Sequence, residues 1–132
     1  MPETALGRLL KELRAERGLT LREVAQLGEV DHAYVHRLET GAKEAPSDEV
    51  LTKLARALRP SRRDGDLMRF LAAHPQIQPA PDLLEFARKT DPTVTFDELQ
   101  MMATMVNRGA RPDYAMSLSR IRRIMKEGGG GG

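Results

Sequence analysis

Residues 20–38 read TLREVAQLGEVDHAYVHRL, and this stretch decides the fold. Thr20-Leu21-Arg22-Glu23 has the form of a capping box, in which the Thr hydroxyl accepts the Glu23 amide and the Glu carboxylate reaches back. It opens a short helix running to about Leu27, with Val24 and Ala25 turned inward. Gly28-Glu29-Val30 breaks that helix, with Val30 as the buried residue of the turn. Asp31 is a good N-cap for a second helix, His32 to Thr40, which Gly41 stops. Val35 and Leu38, at i and i+3, point inward, and the small Ala25 lets the two helices cross closely. The spacing is that of a helix-turn-helix. With Val35 and Leu38 inward, His32, Ala33, His36 and Arg37 face away, along the side that such a second helix turns to the major groove.

The pattern on either side is also helical. Leu6, Leu9, Leu10 and Leu13 make one apolar stripe, and Gly18 ends that helix. Pro46 and Ser47 open another, with a stripe of Leu51, Leu54, Ala55 and Leu58 and Pro60 just beyond its end. The polar run 60–65, Pro-Ser-Arg-Arg-Asp-Gly, reads as a linker. Leu67, Phe70 and Leu71 then suggest a short helix, and three prolines between His74 and Pro81 interrupt regular structure. Leu83, Leu84, Phe86 and Ala87 suggest another short helix. Thr95-Phe96-Asp97-Glu98 is a second capping box, and Pro112 suits the first turn of a last helix with Tyr114, Leu118, Ile121 and Met125 on one stripe. Alternating strand patterns are absent. The expected architecture is all-α: a helix-turn-helix domain over residues 1–60, a linker at 61–65, a small helical domain at 66–127 and a disordered glycine tail at 128–132.

Composition narrows the function. The chain has 132 residues, no Cys and 4% aromatic residues. Disulfides, thiolate metal sites and Cys nucleophiles are excluded. No apolar run approaches the ~20 residues of a membrane span, and the N-terminus lacks a basic region before its apolar residues, so a cytoplasmic protein without membrane partners is expected. Lys and Arg number 21 against 19 Asp and Glu, a net charge of +2. Net charge therefore argues nothing for nucleic acid; the case rests on where particular side chains point. Ser/His/Asp and phosphate-loop patterns are absent, so an enzyme is not expected, nor a cofactor. His32 and His36 have metal-ligand spacing, but the intervening Ala-Tyr-Val lacks the Glu base of a zinc protease, and no metal is expected.

The run LGRLLKELRAERGLTLREVAQLGEVDHAYVHRLETG, residues 6–41, together with LTKLARAL at 51–58, resembles the Cro/C1-type (Xre) helix-turn-helix family. The resemblance implies a five-helix bundle that binds operator DNA as a dimer. It also implies an ion pair between Arg14 and Glu39. Two positions depart from the family pattern. Leu21 stands where many members hold a phosphate with Gln, so that work falls to Arg22 or Gln26, and Glu29 stands where the turn usually has Gly. The candidate DNA contacts are Arg22, His32, Ala33, Tyr34, His36, Arg37, Thr40 and Lys43. Arg37 is the best base reader, because a guanidinium can bond guanine O6 and N7 together. Thr40 and Lys43 suit phosphates.

The second half, TFDELQMMATMVNRGARPDYAMSLSRIRRIMKE at 95–127, resembles the C-terminal domain of DdrO-type repressors of the DNA-damage response. That resemblance implies a homodimer made by this half and a regulatory metallopeptidase that cuts before the Arg-Gly turn. The corresponding candidate cleavage site is Val106-Asn107-Arg108. The candidate dimerisation residues are Phe96, Leu99, Met102, Ala103, Val106, Tyr114, Leu118 and Ile121. The expected function is a dimeric transcriptional repressor. The rival is the antitoxin of a toxin–antitoxin pair that regulates its own operon. A chain ending at Arg59 is expected to stay folded and monomeric.

Overall fold

Each helix of the N-terminal half starts at a side-chain cap. The computed structural model describes residues 3–42, 46–104 and 113–130, and every regular element among them is helical. Thr4 accepts the Gly7 amide at 2.9 Å and starts α1 (Ala5–Glu16). The predicted capping box starts α2 (Leu21–Gly28), with both bonds made at 3.1 and 2.9 Å. Asp31 accepts the Tyr34 amide at 3.1 Å and starts α3 (His32–Thr40). Ser47 starts α4 (Asp48–Leu58). Such caps satisfy amides that a helix start otherwise leaves unpaired, each for about 1 kcal/mol.

A fifth helix begins where a linker was expected. Ser61 accepts the Asp64 amide at 3.1 Å, and residues 62–65 form the first turn of α5 (Arg62–Ala73). Polar residues are common in a first helical turn, so polarity alone does not mark a linker. Leu67, Met68, Leu71 and Ala72 of α5 are buried, and the helix packs against α1 and α4. Past its end, the Gln78 side chain accepts the Ala5 amide of α1 at 2.7 Å. The chain divides into the units Met1–Gln78 and Pro79–Gly132, so the first domain runs well beyond residue 60.

Leu9, Leu10, Leu13, Val24, Val35, Leu38, Leu54, Leu58 and Met68 are almost fully buried in the first unit. Each large apolar side chain so buried contributes about 1.5–3 kcal/mol. Two details differ from the sequence expectation. Ala57, not Ala55, completes the buried stripe of α4, and Val30 is half-buried. At the end of α2, Gly28 admits α4 closely: a Cβ there would lie 2.9 Å from the Lys53 carbonyl oxygen. The left-handed residue after α2 is Glu29, at φ 56°. The turn thus divides two duties between neighbours, with Gly28 admitting α4 and Glu29 carrying the strained backbone.

The second unit holds α6 (Pro81–Glu85), a π-helical turn (Phe86–Thr90), α7 (Phe96–Thr104) and α8 (Tyr114–Gly130). Pro81 takes the first helical position, where its missing N–H costs nothing. The Thr95–Glu98 capping box forms as predicted, at 2.9 and 3.1 Å. Asp113 caps α8 through the Met116 amide at 3.0 Å. Leu83, Leu84, Ala87, Val94, Leu99, Met102, Leu118 and Ile121 form the core. The expected disorder of the glycine tail does not hold for 128–130, which continue α8; extending an existing helix is far cheaper than nucleating one. Residues 131 and 132 lie outside the described residues.

Candidate nucleic-acid interface

The helix-turn-helix is fixed from below. Val35 and Leu38 are each 1% exposed, and with them down His32, Ala33, His36 and Arg37 are all exposed on the opposite face of α3. The far end of α3 is held by Glu39, a carboxylate buried against α1. The Arg14 Nε donates to Glu39 Oε2 at 2.8 Å and its Nη2 to Oε1 at 3.0 Å. The Arg14 Nη1 donates to the Leu19 carbonyl at 3.1 Å, so one guanidinium joins α1, the loop before α2 and the end of α3. The Glu39 carboxylate raises the Arg14 pKa above its ordinary value. A two-pronged charged pair of this kind sets orientation as well as distance.

The exposed candidates fall into two grooves. Arg22 of α2 and His32 of α3 line one groove, with Ala25 at its floor and Gln26 beside them. Arg37 and Tyr34 line the other, with Val30, Val50 and Lys53. Tyr34 is half-buried on this flank rather than on the outward face. Among the described residues, no hydrogen bond or ion pair engages the side chains of Arg22, His32, His36 or Arg37. Thr40 is half-buried and its hydroxyl donates to the Arg37 carbonyl at 3.3 Å, an internal bond at the end of α3. Lys43 lies outside the described residues. Lys53 was not anticipated, because its i,i+4 pairing with Glu49, at 3.6 Å, has the pattern of an ordinary solvated face.

The family model for the helix-turn-helix domain matches residues 5–70, half of the chain. This chain belongs to the helix-turn-helix domain family. It is a DNA-binding regulator of transcription by that membership, and the matched stretch contains α1 to α4 and most of α5. No curated protein matches it. Among solved structures, it is similar to the crystal structure of the clp gene regulator ClgR from C. glutamicum, with 38% identity and a TM-score of 0.44, over 55% of this chain and 88% of that one. The family match stops at residue 70 and does not extend to the resemblance of residues 95–127 to DdrO-type repressors.

The residues expected to join two subunits are placed differently. Leu99, Met102, Leu118 and Ile121 are 1–4% exposed within a single chain. They pack α7 on α8 and cannot also cover a partner while that packing holds. Phe96, Ala103 and Tyr114 are half-buried, and the Tyr114 hydroxyl donates to Asp82 at 2.7 Å, tying α8 to α6. Val106, Asn107 and Arg108 lie outside the described residues, so neither Val106 as an interface residue nor the three as a cleavage site is placed. Among the described residues, the large apolar side chains exposed on α7 and α8 are Met101, Met116, Ile124 and Met125. No helix among the described residues is long and apolar enough to cross a membrane.

Proposed function

We propose that this chain is a repressor that binds operator DNA as a homodimer. The observation that carries the reading is the outward face of α3. It presents His32, Ala33, His36 and Arg37 with no partner among the described residues, on a helix held at its end by the Arg14–Glu39 pair. Arg37 reads a base edge, and Arg22 and Lys43 hold phosphates. Thr40 contributes through the end of the same helix. One such module covers a single half-site, so two linked copies gain affinity through effective concentration.

The homodimer is proposed on the second unit, through Met101, Ile124 and Met125 rather than through the buried α7–α8 core. Methionine and isoleucine side chains left exposed together are a common mark of an interaction surface. A metallopeptidase cut at Val106–Arg108, between α7 and α8, is proposed as the off switch, because it would let α8 leave its packing on α7. Sequencing the DNA that co-precipitates with the protein, followed by titration of the recovered site and a reporter fused to it, tests the whole reading. A single palindromic site and reporter silencing are expected. Failure to enrich any sequence refutes it. A small toxin that co-purifies in place of a second copy selects the antitoxin reading.

A further inference from the structure

The groove between α7 and α8 is lined by Asp97, Gln100, Met101 and Met125. Asp97 and Met101 lie one turn apart on α7, and Met125 continues the seam of Leu118 and Ile121 toward the far end of α8. Met101 and Met125 are 38% and 41% exposed, whereas Met68 and Met102, in the two cores, are 1% and 4% exposed. The chain has no Cys, so thiol oxidation is closed to it. We propose that Met101 and Met125 form an oxidation site, and that turning their thioethers into sulfoxides separates the paired copies. This rests on the homodimer reading above and adds regulation to the same surface.

The sulfur lone pair attacks one oxygen of a hydroperoxide, and the O–O bond breaks. The transferred oxygen gives its proton to the departing oxygen, which leaves as water when the oxidant is hydrogen peroxide. One thioether and one peroxide thus become one sulfoxide and one water, a two-electron oxidation of sulfur. Asp97 puts a negative charge at the groove, which disfavours anionic oxidants and leaves a neutral peroxide as the fitting class. The product is polar where the thioether was apolar. In a closed contact its oxygen has lost water, and without a donor it weakens the contact by about tenfold. A pair covers the groove, so the oxidant reaches a subunit while it is free and then holds it there. Met102 stays in the core, so α7 remains packed on α8. Operator affinity falls with pairing, although α3 is untouched. Met116 is also exposed, but it lies two positions before Leu118, away from the seam, and accepts a weak bond from Arg120 at 3.9 Å. Its oxidation leaves the groove unchanged.

The test uses the full chain, treated with increasing hydrogen peroxide and followed by peptide mass spectrometry, light scattering and circular dichroism. Met101 and Met125 are expected to gain oxygen before Met68 and Met102, and faster as the chain is diluted. Helical content is expected to hold while the dimer dissociation constant rises about tenfold or more. The two epimer-specific methionine sulfoxide reductases, with a dithiol, are expected to restore pairing. Met101→Leu with Met125→Leu is expected to give one dissociation constant with and without peroxide. Met101→Gln with Met125→Gln, polar from the start, is expected to pair weakly before any peroxide is added. Met116→Leu is expected to keep the wild-type response. Unchanged pairing once both sulfoxides have formed overturns the oxidation site and leaves the homodimer standing. So does a peroxide response that survives the double Leu change, or oxidation of Met101 and Met125 no faster than that of Met68 and Met102. An untreated wild type that is monomeric at every concentration overturns both.

Discussion

Ending the chain at Arg59 is expected to unfold the first unit, whereas ending it at Gln78 is expected to leave a folded helix-turn-helix. This reverses the expectation from sequence, and the reason is α5. Leu67, Met68 and Leu71 are 3%, 1% and 3% exposed, buried against α1 and α4. At about 1.5–3 kcal/mol for each large side chain, their burial contributes about 5–9 kcal/mol. A small domain's whole stability is about 5–15 kcal/mol. Removing α5 also leaves the faces of α1 and α4 that it covers open to water. The fragment of residues 1–78 keeps this helix and the Gln78 bond to the Ala5 amide. Both fragments are to be expressed and followed by circular dichroism through thermal and urea unfolding, with light scattering to set their mass. The longer one is expected to melt cooperatively as a monomer and to bind DNA more weakly than the full-length chain. The shorter one is expected to show no cooperative transition. A cooperative melt of residues 1–59 within about 1 kcal/mol of the longer fragment would refute the reasoning, because α5 would then contribute far less than its burial implies.

Three further outcomes are expected. Arg14→Ala leaves the Glu39 carboxylate buried without its partner and should cost about 1.5–3 kcal/mol in urea denaturation, with a matching loss of operator affinity as α3 loosens. Arg37→Ala should cost about 1–3 kcal/mol of specific binding and relax preference at one operator position, whereas Lys43→Ala should weaken all sequences alike and reduce the salt slope by about one, both read from titrations on operator and mixed-sequence duplexes. In the second unit, the Arg122 guanidinium donates to Glu98 at 2.8 and 3.2 Å and holds that carboxyl below its ordinary pKa. The clasp between α7 and α8 should therefore be at full strength above the ordinary glutamate range, ~4.3, and be lost as pH falls through the depressed value. Acid titration of helical content should show that loss, and Glu98→Gln should remove it.

What was legible in the residues depended on whether the deciding signal was local. The starts of α1 to α4 each follow from a hydroxyl or carboxylate three residues before the amide it accepts, a relation that lies within one turn of chain. The outward face of α3 follows from two buried positions on the same helix. The start of α5 obeys the same rule at Ser61 and Asp64, but charged neighbours gave that stretch the look of a linker, and Asp64 is itself buried. The groove of Arg22, Gln26 and His32 joins two helices whose relative rotation no periodicity specifies.

The second unit shows the limit most plainly. An amphipathic stripe says that a helix face must be covered; it does not say by what. Leu99, Met102, Leu118 and Ile121 have the same spacing whether they cover one another or a second subunit. Covering one another is the outcome here, since α7 and α8 are consecutive and pack together within one chain. In the homodimer proposed above, the joining of two copies then passes to the residues next to the stripe. Ile124 is three positions beyond Ile121 and Met125 four, so both sit at the edge of the buried seam, and Ile124 remains 62% exposed. An isoleucine so placed gains little from its own chain and has apolar surface to offer another. Subunit contact at that edge would leave the α7–α8 core closed, so that dimerisation adds to the fold of each chain instead of competing with it.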